Sequence, residues 1–131
     1  MKQSNSSAFA LLVSAWMLIE GGMGLIKSAA LGILTTNPGQ AGGYVVLGIA
    51  GLLARPRANI LYRYLCFLGS LLIMVAFFWV LPPPRNIPRD LLNINWAGAL
   101  LNFVIGAASL TVAISENSRR RVVPRGAAKN N

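Results

Sequence analysis

The residue whose type and position could support chemistry is Glu20, which stands in a run (8–26) with no other charged side chain. A carboxylate at the centre of a membrane-spanning helix costs about 3 kcal/mol on insertion scales. Glu20 must therefore be neutral, paired or close to an aqueous surface. Three readings follow: a proton- or cation-binding carboxyl, a hydrogen-bonded packing element, or a side chain that extends to the membrane surface.

Other kinds of chemistry find little support in the residue types. The chain has no histidine and one cysteine, Cys66, so Ser-His-Asp catalysis and a His/Cys metal site are excluded. Bonds from the hydroxyl groups of Ser14, Ser70 and Ser109 back to helix carbonyls account for these serines. No glycine-rich nucleotide motif is present. We predict a protein that is not an enzyme and holds no cofactor.

Composition points to a membrane protein. The chain has 131 residues, of which 55% are apolar and 11% charged, and its mean hydropathy is +0.58. The apolar residues form long blocks, as in membrane spans. The net charge of +9 could indicate nucleic-acid binding. The basic residues, however, lie between and after the apolar blocks, which is the pattern of membrane surfaces.

Four apolar blocks predict four spans. They cover residues 8–26, 39–54, 60–81 and 91–114, between a polar N-terminus (1–7) and a basic tail (115–131). The second block is short for a bilayer core of about 30 Å. Residues 27–36 could either extend the first helix or form a connection.

The distribution of basic residues predicts orientation. Nine Lys and Arg residues lie on the side of the two termini and three lie on the other. The positive-inside rule then places both termini in the cytoplasm, here of a bacterial inner membrane. Anionic lipid headgroups are the expected partners of the basic residues nearest the spans. These are Arg55, Arg57, Arg119, Arg120 and Arg121.

An internal repeat is visible when the sequence is shifted by 58 residues. Segment 37–54 then matches segment 95–112 at six of eighteen positions without a gap, Asn37 on Asn95 and Gly48 on Gly106 among them. Each unit contains two spans, so both units have the same orientation. The sequence therefore predicts an all-α integral membrane four-helix bundle built from two parallel-repeat helical hairpins.

The repeated motif is a helix-opening Asn, a polar residue, and a Gly one turn later. It occurs as Asn37, Tyr44 and Gly48, and again as Asn95, Asn102 and Gly106. Over residues 10–113 the chain resembles a bacterial family of small four-helix membrane proteins that is catalogued as a domain of unknown function. The resemblance implies the fold and brings no known activity. That family usually has His where this chain has Tyr44 and Asn102.

Depth and spacing predict a polar cluster inside the bundle. Glu20 and Asn102 each lie about 10 Å below the outer boundary of the membrane. We expect Glu20 to face the interior and to bond Asn102, with Tyr44 as a second donor. Small residues expected at the helix contacts are Gly24, Gly48, Gly98 and Gly106. A further pair, Gly39 and Gly43, could drive dimerisation, although packing within the chain is the favoured use.

The leading functional hypothesis is a non-enzymatic structural or accessory membrane component, which packs with itself or with a larger membrane complex. The alternative is a small proton- or cation-coupled transporter that uses Glu20. A third reading is lipid binding by the basic cytoplasmic face.

Overall fold

The computed structural model describes residues 5–26, 29–30, 34–35, 37–80 and 95–122. Its four helices are α1 (Asn5–Ile26), α2 (Pro38–Ala54), α3 (Ala58–Phe78) and α4 (Trp96–Val122). Two short strands, β1 (Ala29–Ala30) and β2 (Leu34–Thr35), pair antiparallel between α1 and α2. The predicted all-α four-helix bundle is confirmed, with this small strand pair as an addition.

The helices pair as two hairpins, since α1 packs mainly against α2, and α3 mainly against α4. The Arg55 Nε donates to Ser7 Oγ at 3.3 Å, so the start of α1 lies beside the α2–α3 turn. A pocket lined by Asn59 and Arg63 of α3 also includes Asn117 of α4. The starts of α1 and α3 and the end of α4 therefore share one end of the bundle, which we call the basic end.

Glycines allow the close approach of the helices within each hairpin. A Cβ at Gly21 would lie 2.7 Å from the Ala41 carbonyl oxygen. A Cβ at Gly69 would lie 2.8 Å from the Gly106 carbonyl oxygen, and one at Gly106 would lie 2.9 Å from the Gly69 carbonyl oxygen. These distances are too short for any side chain, so the two backbones are in direct contact.

The core is apolar and centred on α3, where the most buried large side chains are Leu65, Leu68 and Leu72. The outer surface is also apolar: Leu12, Leu53 and Phe77 are all more than half exposed. Three helices are long and apolar enough to cross a membrane, and α2, with 17 residues, is shorter. An apolar surface this extensive needs lipid around it, and the protein is accordingly membrane-embedded.

Helix ends differ from the predicted spans in two places. Helix α1 ends at Ile26, and β1 and β2 occupy part of 27–36, so this segment does not continue the helix. Helix α4 continues to Val122, about two turns beyond the predicted end of the fourth span. Residues 1–4, 81–94 and 123–131, to which parts of the predicted N-terminus, spans and tail belong, lie outside the described residues.

Buried positions recur between the two hairpins. In α2 and α4, residues 58 apart are buried together: Ala41 and Ala99, Tyr44 and Asn102, Gly48 and Gly106, Gly51 and Ser109. In α1 and α3, residues 55 apart are likewise buried together. The pairs are Ser6 and Leu61, Ala10 and Leu65, Val13 and Leu68, Ser14 and Gly69, Met17 and Leu72, and Gly21 and Ala76. The two hairpins thus use matching faces.

Both second helices also begin in the same way. The Asn37 side-chain oxygen accepts from Gln40 N at 2.8 Å, and the Asn95 side-chain oxygen accepts from Gly98 N at 2.8 Å. Each bond satisfies a backbone N–H that the first helical turn would leave unpaired. The two asparagines of the sequence motif are therefore N-caps.

Candidate intramembrane polar site

Five polar or amphipathic side chains from three helices meet inside the bundle. Helix α1 contributes Trp16 and Glu20, α2 contributes Gln40 and Tyr44, and α4 contributes Asn102. The residues of each pair are four apart, which places them on the same face of a helix. We call this set the polar cluster.

A chain of hydrogen bonds runs from α2 to α4. The Gln40 Nε2 donates to Tyr44 Oη at 3.1 Å, and Tyr44 Oη donates to Asn102 Oδ1 at 2.9 Å. Each bond fixes the orientation of an amide. The Gln40 carbonyl oxygen and the Asn102 amide nitrogen are therefore the atoms left facing away from Tyr44.

Three atoms of the cluster are buried without a hydrogen-bond partner among the described residues. They are Trp16 Nε1, Gln40 Oε1 and Asn102 Nδ2. Asn102 as a whole is 3% exposed. A buried polar atom without a partner costs roughly 1–3 kcal/mol, so the cluster contains both donors and an acceptor that lack the partners they require.

Glu20 lies within this cluster and is 6% exposed. The Trp16 indole N–H approaches its carboxyl without meeting hydrogen-bond geometry, and the Tyr44 phenol is close enough to interact electrostatically. Glu20 faces the bundle interior, and the structure brings Tyr44 and Asn102 together with it. The expected bond between Glu20 and Asn102 is not formed, because Asn102 Nδ2 has no hydrogen-bond partner among the described residues. Tyr44, expected as a second donor to Glu20, donates to Asn102 Oδ1 instead.

The backbone around Glu20 leaves no room for a larger neighbour. A Cβ on the next residue, Gly21, would lie 2.9 Å from the Val45 backbone nitrogen as well as against Ala41. The backbone of α1 therefore lies directly against α2 at the residue that follows Glu20. The strand β2 also contacts α4 and lies near this part of the bundle.

A second polar contact joins the two hairpins nearer the basic end. Tyr64 Oη on α3 donates to the Leu47 carbonyl oxygen on α2 at 2.8 Å. Gly51 makes this possible, since a Cβ there would lie 2.6 Å from Tyr64 Oη and would overlap Ser14 Oγ. Ser14 is fully buried. This contact is structural, because no ionisable group other than the phenol takes part in it.

The glycines expected at helix contacts have different roles. Gly24 is buried, and a Cβ at Gly48 would lie 2.8 Å from Leu18 Cγ. Gly106 contacts Gly69, as described above. Gly98 instead belongs to the N-cap of α4, where its closest contact is the Asn95 side chain. Its expected role in helix packing stays a prediction.

The pair Gly39 and Gly43 faces outward, contrary to the favoured use within the chain. Both residues are exposed. Among the described residues, a Cβ at Gly43 would meet no atom within 4 Å, and one at Gly39 would meet only the Asn37 side chain. The contacts within the hairpin are made by Gly21 and Gly48, on another face of each helix, so the outward pair is left open to the membrane.

The basic residues predicted to contact lipid are only partly described. Arg55 bonds Ser7, and Arg57 is exposed beside it at the basic end. The side chains of Arg119, Arg120 and Arg121 lie outside the described part of the structure. A polar pocket of about 280 Å³ also opens here. It is lined by Asn59, Tyr62, Arg63, Glu116 and Asn117.

Sequence reasoning missed Trp16 and Gln40 as members of the cluster. The information was present, because each lies four residues before a residue that was singled out, Glu20 and Tyr44. The exact partner of each amide was not accessible, since it depends on rotamers and on the rotation of α2 against α4. In the described ranges, no group of three or more His, Cys, Asp or Glu residues is placed to hold a metal.

The fold and the cluster define a membrane-embedded four-helix bundle with a polar interior near one end. Comparison with known protein families, with curated proteins and with solved structures finds no match to the chain. The resemblance to small four-helix membrane proteins of unknown function therefore stays a prediction, and function must be argued from the residues.

Proposed function

We propose that this protein is a non-enzymatic structural component of a membrane, which associates through the outward face of α2. The observation that carries the proposal is the exposed pair Gly39 and Gly43, one turn apart on a helix that contacts α1 through two other glycines, Gly48 and Gly51. In lipid, association between helices depends on close backbone approach, which small residues at this spacing permit.

The neighbouring side chains complete a surface suited to a second helix. Val46 and Leu53 continue the outward face of α2 and are 66% and 73% exposed. This face combines a small-residue notch near the start of α2 with large apolar side chains toward its end. A second copy of the chain, or one helix of a larger complex, would fit the notch.

Dimerisation in a bilayer tests the proposal. Gly39→Ile and Gly43→Ile should weaken association at least tenfold, measured by energy transfer between labelled proteins in liposomes at increasing dilution. Ser70→Ile is the matched control, because Ser70 is exposed on α3 and the change adds similar bulk elsewhere. The proposal would be contradicted if the unaltered protein does not associate with itself and also retains no partner protein from native membranes.

The proposal includes the orientation of the chain in the membrane and the origin of the two hairpins as repeats. Both termini are assigned to the cytoplasm of a bacterial inner membrane, which the grouping of Arg55, Arg57 and Arg63 at the basic end supports. The shared buried positions and N-caps support an origin of the two hairpins as repeats. A cysteine at Asn131, introduced together with Cys66→Ser, should react with an impermeant maleimide only after cells are opened. Labelling in intact cells would reverse the orientation.

The buried position of Glu20 favours a second candidate, a proton- or cation-coupled transporter. A carboxyl inside a membrane bundle is a functional candidate by default. Purified protein would then release protons when a hydrophobic cation is added, and Glu20→Gln would abolish the release. Equal behaviour of the two proteins would remove this candidate.

Lipid recognition at the basic end is compatible with either candidate. Arg57 and Arg63 are exposed there, and each basic residue near an anionic surface contributes about 1 kcal/mol. Binding to anionic liposomes should weaken with salt and with removal of residues 119–129.

A further inference from the structure

The unpartnered atoms of the polar cluster form a complementary set. Asn102 Nδ2 and Trp16 Nε1 present N–H donors, and Gln40 Oε1 presents an acceptor. The hydrogen-bond chain through Tyr44 holds both amides in these orientations. A group that fits them must accept hydrogen bonds at one atom and donate one at another.

A neutral carboxylic acid has this pattern. Its carbonyl oxygen carries two lone pairs and its hydroxyl donates one hydrogen bond, whereas an ionised carboxylate only accepts. We propose that the polar cluster is a proton-binding site, in which the Glu20 carbonyl oxygen accepts from Asn102 Nδ2 and Trp16 Nε1 and its hydroxyl donates to Gln40 Oε1. The ligand is a single proton, and side-chain rotation within the cluster is the only movement needed.

A metal cation fits the cluster less well. Cations such as Na⁺ or Ca²⁺ are bound by several oxygen atoms with free lone pairs. Here Asn102 Oδ1 accepts from Tyr44, and Tyr44 Oη accepts from Gln40. The polar atoms that lack a partner on α1 and α4, Trp16 Nε1 and Asn102 Nδ2, are N–H donors, which would repel a cation.

The surrounding charges are also consistent with a neutral carboxyl. Apart from the arginines, the other ionisable groups described on the helices packed around α1 are the Tyr44 phenol on α2, the Tyr62 and Tyr64 phenols and the Cys66 thiol on α3, and Glu116 on α4. Arg55, Arg57 and Arg63 lie at the basic end, toward the opposite end of α1. No described cation is therefore placed to pair with an ionised Glu20.

Reaction with a hydrophobic carbodiimide tests the proposal, because this reagent adds to a protonated carboxyl in a membrane and leaves a stable mass increase. In reconstituted full-length protein near neutral pH, Glu20 should be modified and Glu116, which lines the polar pocket, should not. Gln40→Leu removes the acceptor and should lower the extent of labelling by about two- to tenfold, the equivalent of one neutral hydrogen bond. Tyr64→Phe, which removes a buried hydroxyl outside the cluster, should have no effect.

The outcomes separate clearly. Labelling of Glu20 that appears only after acidification shows an ionised carboxyl and overturns the proposal. Labelling unchanged by Gln40→Leu overturns the assigned acceptor in favour of a bridging water. If Gln40→Leu does not fold, infrared spectra of the unaltered protein decide: the carbonyl band of a protonated carboxyl must be present and must disappear in Glu20→Gln. This result is independent of oligomeric state and of any transported substrate.

Discussion

Tyr44 is predicted to couple the two hairpins energetically, and the prediction can be made quantitative. Tyr44→Phe removes one hydroxyl that donates to Asn102 and accepts from Gln40. Asn102 would then have both amide atoms buried without partners, since Nδ2 already lacks one. Each lost partner costs roughly 1–3 kcal/mol, so we expect Tyr44→Phe to lower the free energy of unfolding by about 2 kcal/mol.

The double variant sharpens this expectation. Asn102→Leu alone should cost about 1 kcal/mol, because Tyr44 loses its acceptor but still accepts from Gln40. With Tyr44→Phe and Asn102→Leu together, two apolar groups of similar shape meet where two polar groups met. Such a pair is nearly neutral, but Gln40 Nε2 still loses its acceptor in the double variant, at a cost of roughly 1–2 kcal/mol. The double variant should therefore be less destabilised than the sum of the single variants, by about 1–2 kcal/mol.

Reversible unfolding in mixed detergent micelles, followed by tryptophan fluorescence, would provide the four free energies of this cycle. Tyr64→Phe is the control, because Tyr64 donates to a single backbone carbonyl and its loss should cost only about 0.6 kcal/mol. Additive single-variant effects, within about 0.5 kcal/mol, would show that Tyr44 and Asn102 do not interact and would refute the reasoning.

Three further predictions use the same stability measurement. Gly69→Ala should destabilise the protein by about 1–3 kcal/mol, because its Cβ would meet the Gly106 backbone. Gly22→Ala, with no described atom within 4 Å of its Cβ, should stabilise α1 by up to about 1 kcal/mol. Equal effects of the two changes would contradict the close packing of α3 and α4. Gly51→Ala should break the Tyr64–Leu47 bond at a cost of about 1–3 kcal/mol, and adding Tyr64→Phe should recover part of it; no recovery would locate the strain elsewhere. Asn95→Ala should cost about 1 kcal/mol and Asn95→Asp much less, and an equal loss in both would argue against the N-cap.

The sequence was sufficient for the number of helices and for much of the interior. Long apolar blocks and the turn residues around Asn37 and Arg55 predicted three helices within a few residues of their ends. Counting residues along the helices predicted a common depth for Glu20 and Asn102, and both belong to the polar cluster around Tyr44. Periodicity in a nearly uniform apolar sequence is weak, however, so it could not show which face of α2 is turned outward.

The outward position of Gly39 and Gly43 illustrates this limit. Gly39 and Gly43, and further along α2 Gly48 and Gly51, all have helical spacing and look alike in the sequence. Only the rotation of the helix decides that Gly48 contacts Leu18 of α1 while Gly43 contacts none of the described residues. The β1–β2 pair is a similar case, because two-residue strands carry no usable periodicity.

The polar cluster lies between the two hairpins, whose buried positions match. Tyr44 and Asn102 occupy equivalent positions, 58 residues apart, and they bond each other. This bond therefore joins the two hairpins at positions that match in the sequence shift. Glu20 has no polar counterpart, because the matching position 55 residues later is Val75. The packing of two matching hairpins does not by itself require a carboxyl at position 20. Glu20 thus introduces a titratable group on one hairpin only, into an interior that has donors and an acceptor placed for it.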